Sequence, residues 1–470
     1  MLGKEHPETS DSYNNIGVVY HKEGDYDKAL EYYSIALEIR EKVLGMDHPS
    51  ATASYDNIGM VYHDKGDYDK ALDYHMKALE IKEKVLGLEH SDTANSYNNI
   101  GNIYEKKGDY DKALGYYLKA LETREKVLGK EHPKTATSYN NIGLIYDNNG
   151  DYIKALEYYL KALEIREKIL GKEHPETSDS YNNIGGVYDK EEDYDKALEY
   201  YTKALEIQEK VLGMEHPKIA ISYNNIGLAY NNKGEYNKAL EYYLKALEVK
   251  EKMLGKEHPS TATTYNNIGL VYYNKGDYGK ALMYYGKALE IREKVLGIAH
   301  PNTATSYFSI GVAYNSKGKY NNALEYYMKA LEIWEKVLGK EHPNTISSYG
   351  RIGYIYFILN NYDQALGWFS KAAERGHKFV YNELAWTYHL VGKYEKALPW
   401  AEKAVASFPN NAEIIDTLAT IYQGLGRYDE ALEQFELCLK LKKEQGANED
   451  SIHETEEKIE ELKKQLNKKL

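Results

Sequence analysis

Residues 13–45 read YNNIGVVYHKEGDYDKALEYYSIALEIREKVLG, and this stretch decides the fold. Tyr13, Ile16, Gly17 and Tyr20 recur at three- and four-residue spacing, the mark of one helix face. KEGDY breaks that helix with Gly24, a residue suited to helix ends. The Asp beside it falls in the first turn of the next helix, where the dipole favours an acid. YDKALEYYSIALEIREKVLG is the second helix, closed by Gly45. Pro7 suits the first position of the first helix. Gly17 and Ala29 are expected to be small because the two helices cross closely, and Ala36 because the next unit packs there. The tyrosines are expected to fill space between helices and keep their hydroxyls near water.

The pattern repeats along the chain. Gly17, Gly59, Gly101, Gly143, Gly185, Gly227, Gly269, Gly311 and Gly353 stand 42 residues apart, and Ala385 and Ala419 follow at spacings of 32 and 34. A Tyr comes three residues after each of these eleven slots, another nine after, and an Ala twelve after. The expected organisation is eight 42-residue units over 1–340, a transitional ninth over 341–376, two 34-residue units over 377–446, and a charged helix over 447–470. In that last segment Ile452, Ile459, Leu462 and Leu466 form one stripe, read as a capping helix or as a short coiled coil.

Composition narrows the function. The 470 residues are 42% hydrophobic and 28% charged, which gives a core without disorder. A net charge of −13 lacks the basic footprint of a nucleic-acid binder. No apolar run approaches the ~20 residues a bilayer span needs, so no membrane insertion is expected and the location is read as cytoplasmic. One cysteine excludes a disulfide framework. Cys438 fills a slot otherwise held by Ala and is read as buried. The excess of 49 Tyr over 6 Phe follows from the repeat.

Catalytic and nucleotide motifs are missing. LGKEHPKT lacks the glycine spacing of a phosphate loop, and neither H-E-x-x-H nor G-x-S-x-G occurs. His6, His48, His90, His132, His174, His216, His258, His300 and His342 form a column in the turns between units. Successive members fall about 10 Å or more apart, too far to converge on a metal, and they are read as turn packing. No catalytic residue, metal or cofactor is expected. The Glu and Lys of the EIREK segments are read as solvated i,i+4 pairs.

The recurring Gly, Tyr and Ala offsets resemble the tetratricopeptide repeat (TPR) over essentially the whole chain. The 42-residue period with ALEIREKVLGKEHP is similar to the repeats of kinesin light chains. The resemblance implies an all-α, right-handed superhelical solenoid of about eleven helix–turn–helix units plus a C-terminal capping helix, with second helices about two turns longer in the 42-residue units. It also implies that first helices line a concave face, with groove positions six and two residues before each slot and one, four and five after it. Proteins or peptides are the implied partners, and the chain is read as a non-enzymatic scaffold or adaptor. The alternative is a regulatory or sensory arm of a longer protein.

Asn stands two before the slot in seven consecutive units, as Asn15, Asn57, Asn99, Asn141, Asn183, Asn225 and Asn267. Helix propensity does not explain it, because Asn competes for backbone hydrogen bonds. An amide that donates and accepts can pair with a peptide backbone of any sequence, a use that kinesin light chains look similar in making. The competing reading is recent duplication without a role. The preceding Asn of each pair (Asn14, Asn98, Asn140, Asn182, Asn224, Asn266) is read as structural. Uniformity ends near units seven to ten, where Tyr273, Arg351, Tyr354, Phe357, Ile358 and Trp386 suggest a specificity patch. Phe308 and Trp334 also depart from the pattern, and Trp334 is read as repacking of the seam between repeat lengths.

The chain begins MLGKEHP, a stretch repeated at Met253–Pro259 where it joins two units. The first unit is as regular as an internal one. This is read as missing upstream sequence or as an end sealed by self-association.

Overall fold

The computed structural model describes residues 6–46 and 48–469. Most of the opening MLGKEHP therefore lies outside the described residues. These residues form 23 α-helices and one short 3-10 turn, with no strand among them. Twenty-two helices pair as eleven antiparallel hairpins in the order of the repeats, from Pro7–Glu23 with Tyr26–Leu44 to Ala412–Gly424 with Tyr428–Glu444. The fold is an all-α repeat solenoid. Two compact units make up the chain, Met1–Val249 and Lys250–Leu470.

Helix starts are set by local chemistry. The nine histidines of the turn column are N-caps. Each Nδ1 accepts from the backbone N–H two residues on, at 3.1–3.2 Å, as His174 does from Glu176. Turn packing thus has a stated role: the ring satisfies a donor that the first turn of a helix leaves open. Where the sequence has GDY the second helix starts from its Asp, whose carboxylate accepts from a backbone N–H three residues on, as in Asp151 with Lys154. That Asp is the cap, one residue ahead of the first turn.

The extra residues of the long units are spread more widely than the second helix alone. In unit four the helices are Pro133–Asn148 (16 residues) and Tyr152–Ile169 (18 residues). In unit ten they are Tyr381–Leu390 (10 residues) and Tyr394–Ser407 (14 residues).

The slot glycines answer to a ring. A Cβ on Gly143 would stand 2.8 Å from Cδ1 of Tyr159, and one on Gly353 would stand 2.7 Å from Cδ1 of Phe369. Both rings are fully buried. In each of the nine glycine slots a ring sixteen residues on packs too close for a Cβ, whereas unit eleven fits Phe435 beside Ala419. In unit ten Ala401 takes the place of that ring, and the slot is Ala385. A second tyrosine of each long unit is held between two rings of its own hairpin, as Tyr158 is between Tyr146 (5.6 Å) and Tyr139 (6.2 Å).

The EIREK segments are only partly solvated. Glu122 and Lys126 of the corresponding ETREK segment do pair on the surface at 3.0 Å. The Arg of the motif, however, is buried between units. Arg124 donates to Ser138 Oγ (2.7 Å), the Lys134 carbonyl (3.1 Å) and Asn95 Oδ1 (3.1 Å). The adjoining Glu accepts from a tyrosine hydroxyl of the next unit, as Glu83 does from Tyr97 at 2.6 Å. Burial holds the Arg124 and Arg292 guanidinium groups below their usual range, and takes the equivalent Lys250 down to about 8. Trp334 occupies the same position in unit eight. It is buried among Ala304, Tyr307, Ala330 and Ile333, with Phe308 against its ring at 5.4 Å. Nor do all tyrosine hydroxyls reach water, since those of Tyr243 and Tyr327 are enclosed without a partner.

The final helix, Glu449–Lys469, caps the array. Ile459 and Leu462 pack on Ala419, Ala431 and Phe435. Thr455 accepts from Lys442 at 2.9 Å, as Ser138 does from Arg124. The cap thus docks like the first helix of one more repeat. Cys438 is fully buried.

Candidate binding surface

Three of the seven column asparagines are placed by bonds between repeats. Asn57 Nδ2 donates to Asn14 Oδ1 (2.9 Å), Asn141 to Asn98 (2.9 Å) and Asn183 to Asn140 (2.8 Å). Each bond runs from one unit to the preceding one. The first Asn of the YNN pair is the acceptor that fixes its neighbour's second Asn. One N–H of the column amide is spent in this way. Its oxygen and other N–H keep their capacity. Asn15 is exposed, whereas Asn57, Asn99, Asn141, Asn183, Asn225 and Asn267 are half-buried.

Polar links continue four and five residues past the slot. His21 Nε2 meets Asp64 at 2.8 Å, Lys190 meets Asp147 at 2.7 Å, and Asn232 donates to Asp189 at 3.3 Å. Burial holds the Asp189 carboxyl above its usual range, against the opposing effects of Asn232 and Lys190. Among the described residues, no group of three His, Cys, Asp or Glu side chains is placed to hold a metal ion. No helix among them is long and apolar enough to cross a membrane.

Units eight to ten lack the residues that make the bridge. The acceptor position holds Phe308 in unit eight, turned into the core, and Gly350 in unit nine. The column position holds Ser309, then Arg351, then Glu383. A cavity of about 650 Å³ opens there, lined by Arg351, Tyr354, His377, Phe379 and Glu383 among others, with Gly350 in its wall. Of the six residues expected as a specificity patch, the structure brings Arg351 and Tyr354 into this cavity. Tyr273 instead bonds Ser316 at 2.9 Å, Phe357 packs near Tyr362 (5.8 Å), Ile358 is half-buried, and Trp386 stacks on His389 at 4.7 Å. Sequence reading missed Glu383. The signal was its register, two residues before the slot, the same as the Asn column.

Family models of the tetratricopeptide repeat match residues 4–84, 92–152, 148–210, 218–294, 260–327 and 310–376, with further matches at 380–407 and 412–445. The chain belongs to the tetratricopeptide repeat family. No curated protein matches this TPR chain significantly. Solved structures similar to it include a putative kinesin light chain with nearly identical TPR-like repeats from Podosopora anserina, at 26% identity over 44% of this chain and 98% of that one, TM-score 0.39. BtubC (BKLC) from P. vanneervenii is similar at 23% identity over 49% of this chain and 92% of that one, TM-score 0.43. The apo form of RapI is similar at 22% identity over 61% and 99%, TM-score 0.48.

Proposed function

We propose that this TPR chain is a non-enzymatic interaction scaffold, working in the cytoplasm, that holds extended segments of partner proteins along its column of first helices. The observation that carries this reading is the Asn column, three of whose members are bridged to the preceding repeat. Bonds to the preceding repeat fix Asn57, Asn141 and Asn183 in orientation and leave one acceptor and one donor on each. Fixed amides lose little entropy on binding. Packed helices lie ~10 Å apart and an extended chain advances ~3.3 Å per residue, so one Asn would meet about every third residue of a segment. At ~1 kcal/mol net for each bond, several rungs suit moderate affinity with little side-chain preference.

A paired capture experiment tests this. The wild-type chain and an Asn141→Ala, Asn183→Ala, Asn225→Ala variant, both folded by circular dichroism, are used as baits for mass spectrometry. Partners held by the first and lost by the second support the reading. Identical partner sets would remove the column from it.

A further inference from the structure

The column of first-helix residues changes character at Arg351 and Glu383. Both stand two residues before their slots, in the register of the Asn rungs. Neither has the acceptor that fixes those rungs, because Phe308 and Gly350 replace Asn in the units before them. Gly350 is held small from outside: a Cβ there would stand 3.0 Å from Val380 Cγ1 and 3.9 Å from the His377 ring. Its replacement of Asn removes a bridge and lets Val380 and His377 pack close beside the cavity.

Two opposite charges line that space without pairing. Arg351 is exposed and makes no ion pair or hydrogen bond within the described residues, while Glu383 Oε2 is enclosed and has no partner. Enclosing an unpaired carboxylate is costly, and burial accordingly holds the Glu383 carboxyl above its usual range. His377, which shares the cavity, is held below its usual range by burial, with Arg351 adding to the effect. The first turn of helix Tyr381–Leu390 favours an acid at Glu383, but that leaves Oε2 unused. Two exposed aromatics, Tyr354 (41%) and Phe379 (72%), line the same cavity. An aromatic wall beside a carboxylate suits a cationic side chain, and the free guanidinium suits a carboxylate.

We propose that Arg351 and Glu383 are charge-reading rungs that take a partner segment bearing one acidic and one basic side chain about three residues apart, the spacing of neighbouring helices along an extended chain. This rests on the scaffold reading above. It adds to it a place where side chains, rather than backbone, are selected.

Short peptides on the full chain test it. Fluorophore-labelled acetyl-Glu-Ala-Ala-Arg-amide and acetyl-Arg-Ala-Ala-Glu-amide are titrated and followed by anisotropy, with the Gln-Ala-Ala-Gln peptide as the uncharged control. One charged order should bind at least tenfold tighter than the other and than the control. Arg351→Gln and Glu383→Gln should each lose at least tenfold. The double variant Arg351→Glu, Glu383→Arg should reverse the preferred order. Should it not fold, the two Gln variants decide. Equal binding of all three peptides, or unchanged binding by Glu383→Gln, would overturn the proposal. These peptides reach only the two charged rungs, so their failure leaves the Asn column standing. Failure of the column experiment likewise leaves this one intact.

Discussion

Units four and five show one way to join neighbouring hairpins, and units nine and ten another. In the first, Asn183 reaches back to Asn140 and the column is neutral and closed. In the second, Gly350 and Glu383 hold the corresponding places, no bridge forms, and a cavity appears between residues of both units. The hairpin is common to both regions. The difference lies in side chains two and three residues before the slot. A repeat can therefore change its surface without changing its fold.

The comparison can be broken or sharpened by substitution. The largest effect is expected at the slot itself. Gly143→Ala would press a methyl group into Tyr159 and should cost about 2–3 kcal/mol in chemical denaturation. Ala385→Gly, where no ring faces the slot, should cost about 1 kcal/mol. Equal losses at the two sites would mean that the ring does not set the choice of Gly. Next comes the helix cap. His174→Ala removes an acceptor from the first turn and should cost about 1 kcal/mol, with His174→Asn restoring most of it. If Asn were no better than Ala, the ring would be acting by packing and not as a cap.

A smaller change is expected at the bridge. Asn183→Ala should cost roughly 0.5–1.5 kcal/mol, and a double-mutant cycle with Asn140→Ala should show coupling of about 0.5 kcal/mol or more. Additive losses would remove the bridge as the feature that separates units four and five from nine and ten. The smallest effect is expected at the buried cation. Arg124 has only neutral acceptors, and unit eight already carries Trp334 in its place, so Arg124→Met should shift stability by less than about 1 kcal/mol. A loss above about 3 kcal/mol would show that the guanidinium is needed to join the units.

Much of this was legible in the sequence. The eleven hairpins follow from the spacing of Gly, Tyr and Ala, because helix periodicity and caps are properties of neighbouring residues. The stripe of Ile459 and Leu462 announced the final cap in the same way. The EIREK arginine was not legible, because its exposure depends on which side of a long second helix meets the next unit. The Asn bridge escaped for a similar reason. Its partners are 43 residues apart in sequence, and only the rotation of two first helices brings one amide against the other.

By itself, the sequence determined the period, the order of helices, the family and the register of the Asn column, since each is written in local spacing repeated many times. Tertiary structure decided which of those amides are already engaged, that a ring sixteen residues on packs close against each slot glycine, and that Arg351 and Glu383 share one cavity unpaired. These depend on how packed helices bring together residues that are far apart in the sequence.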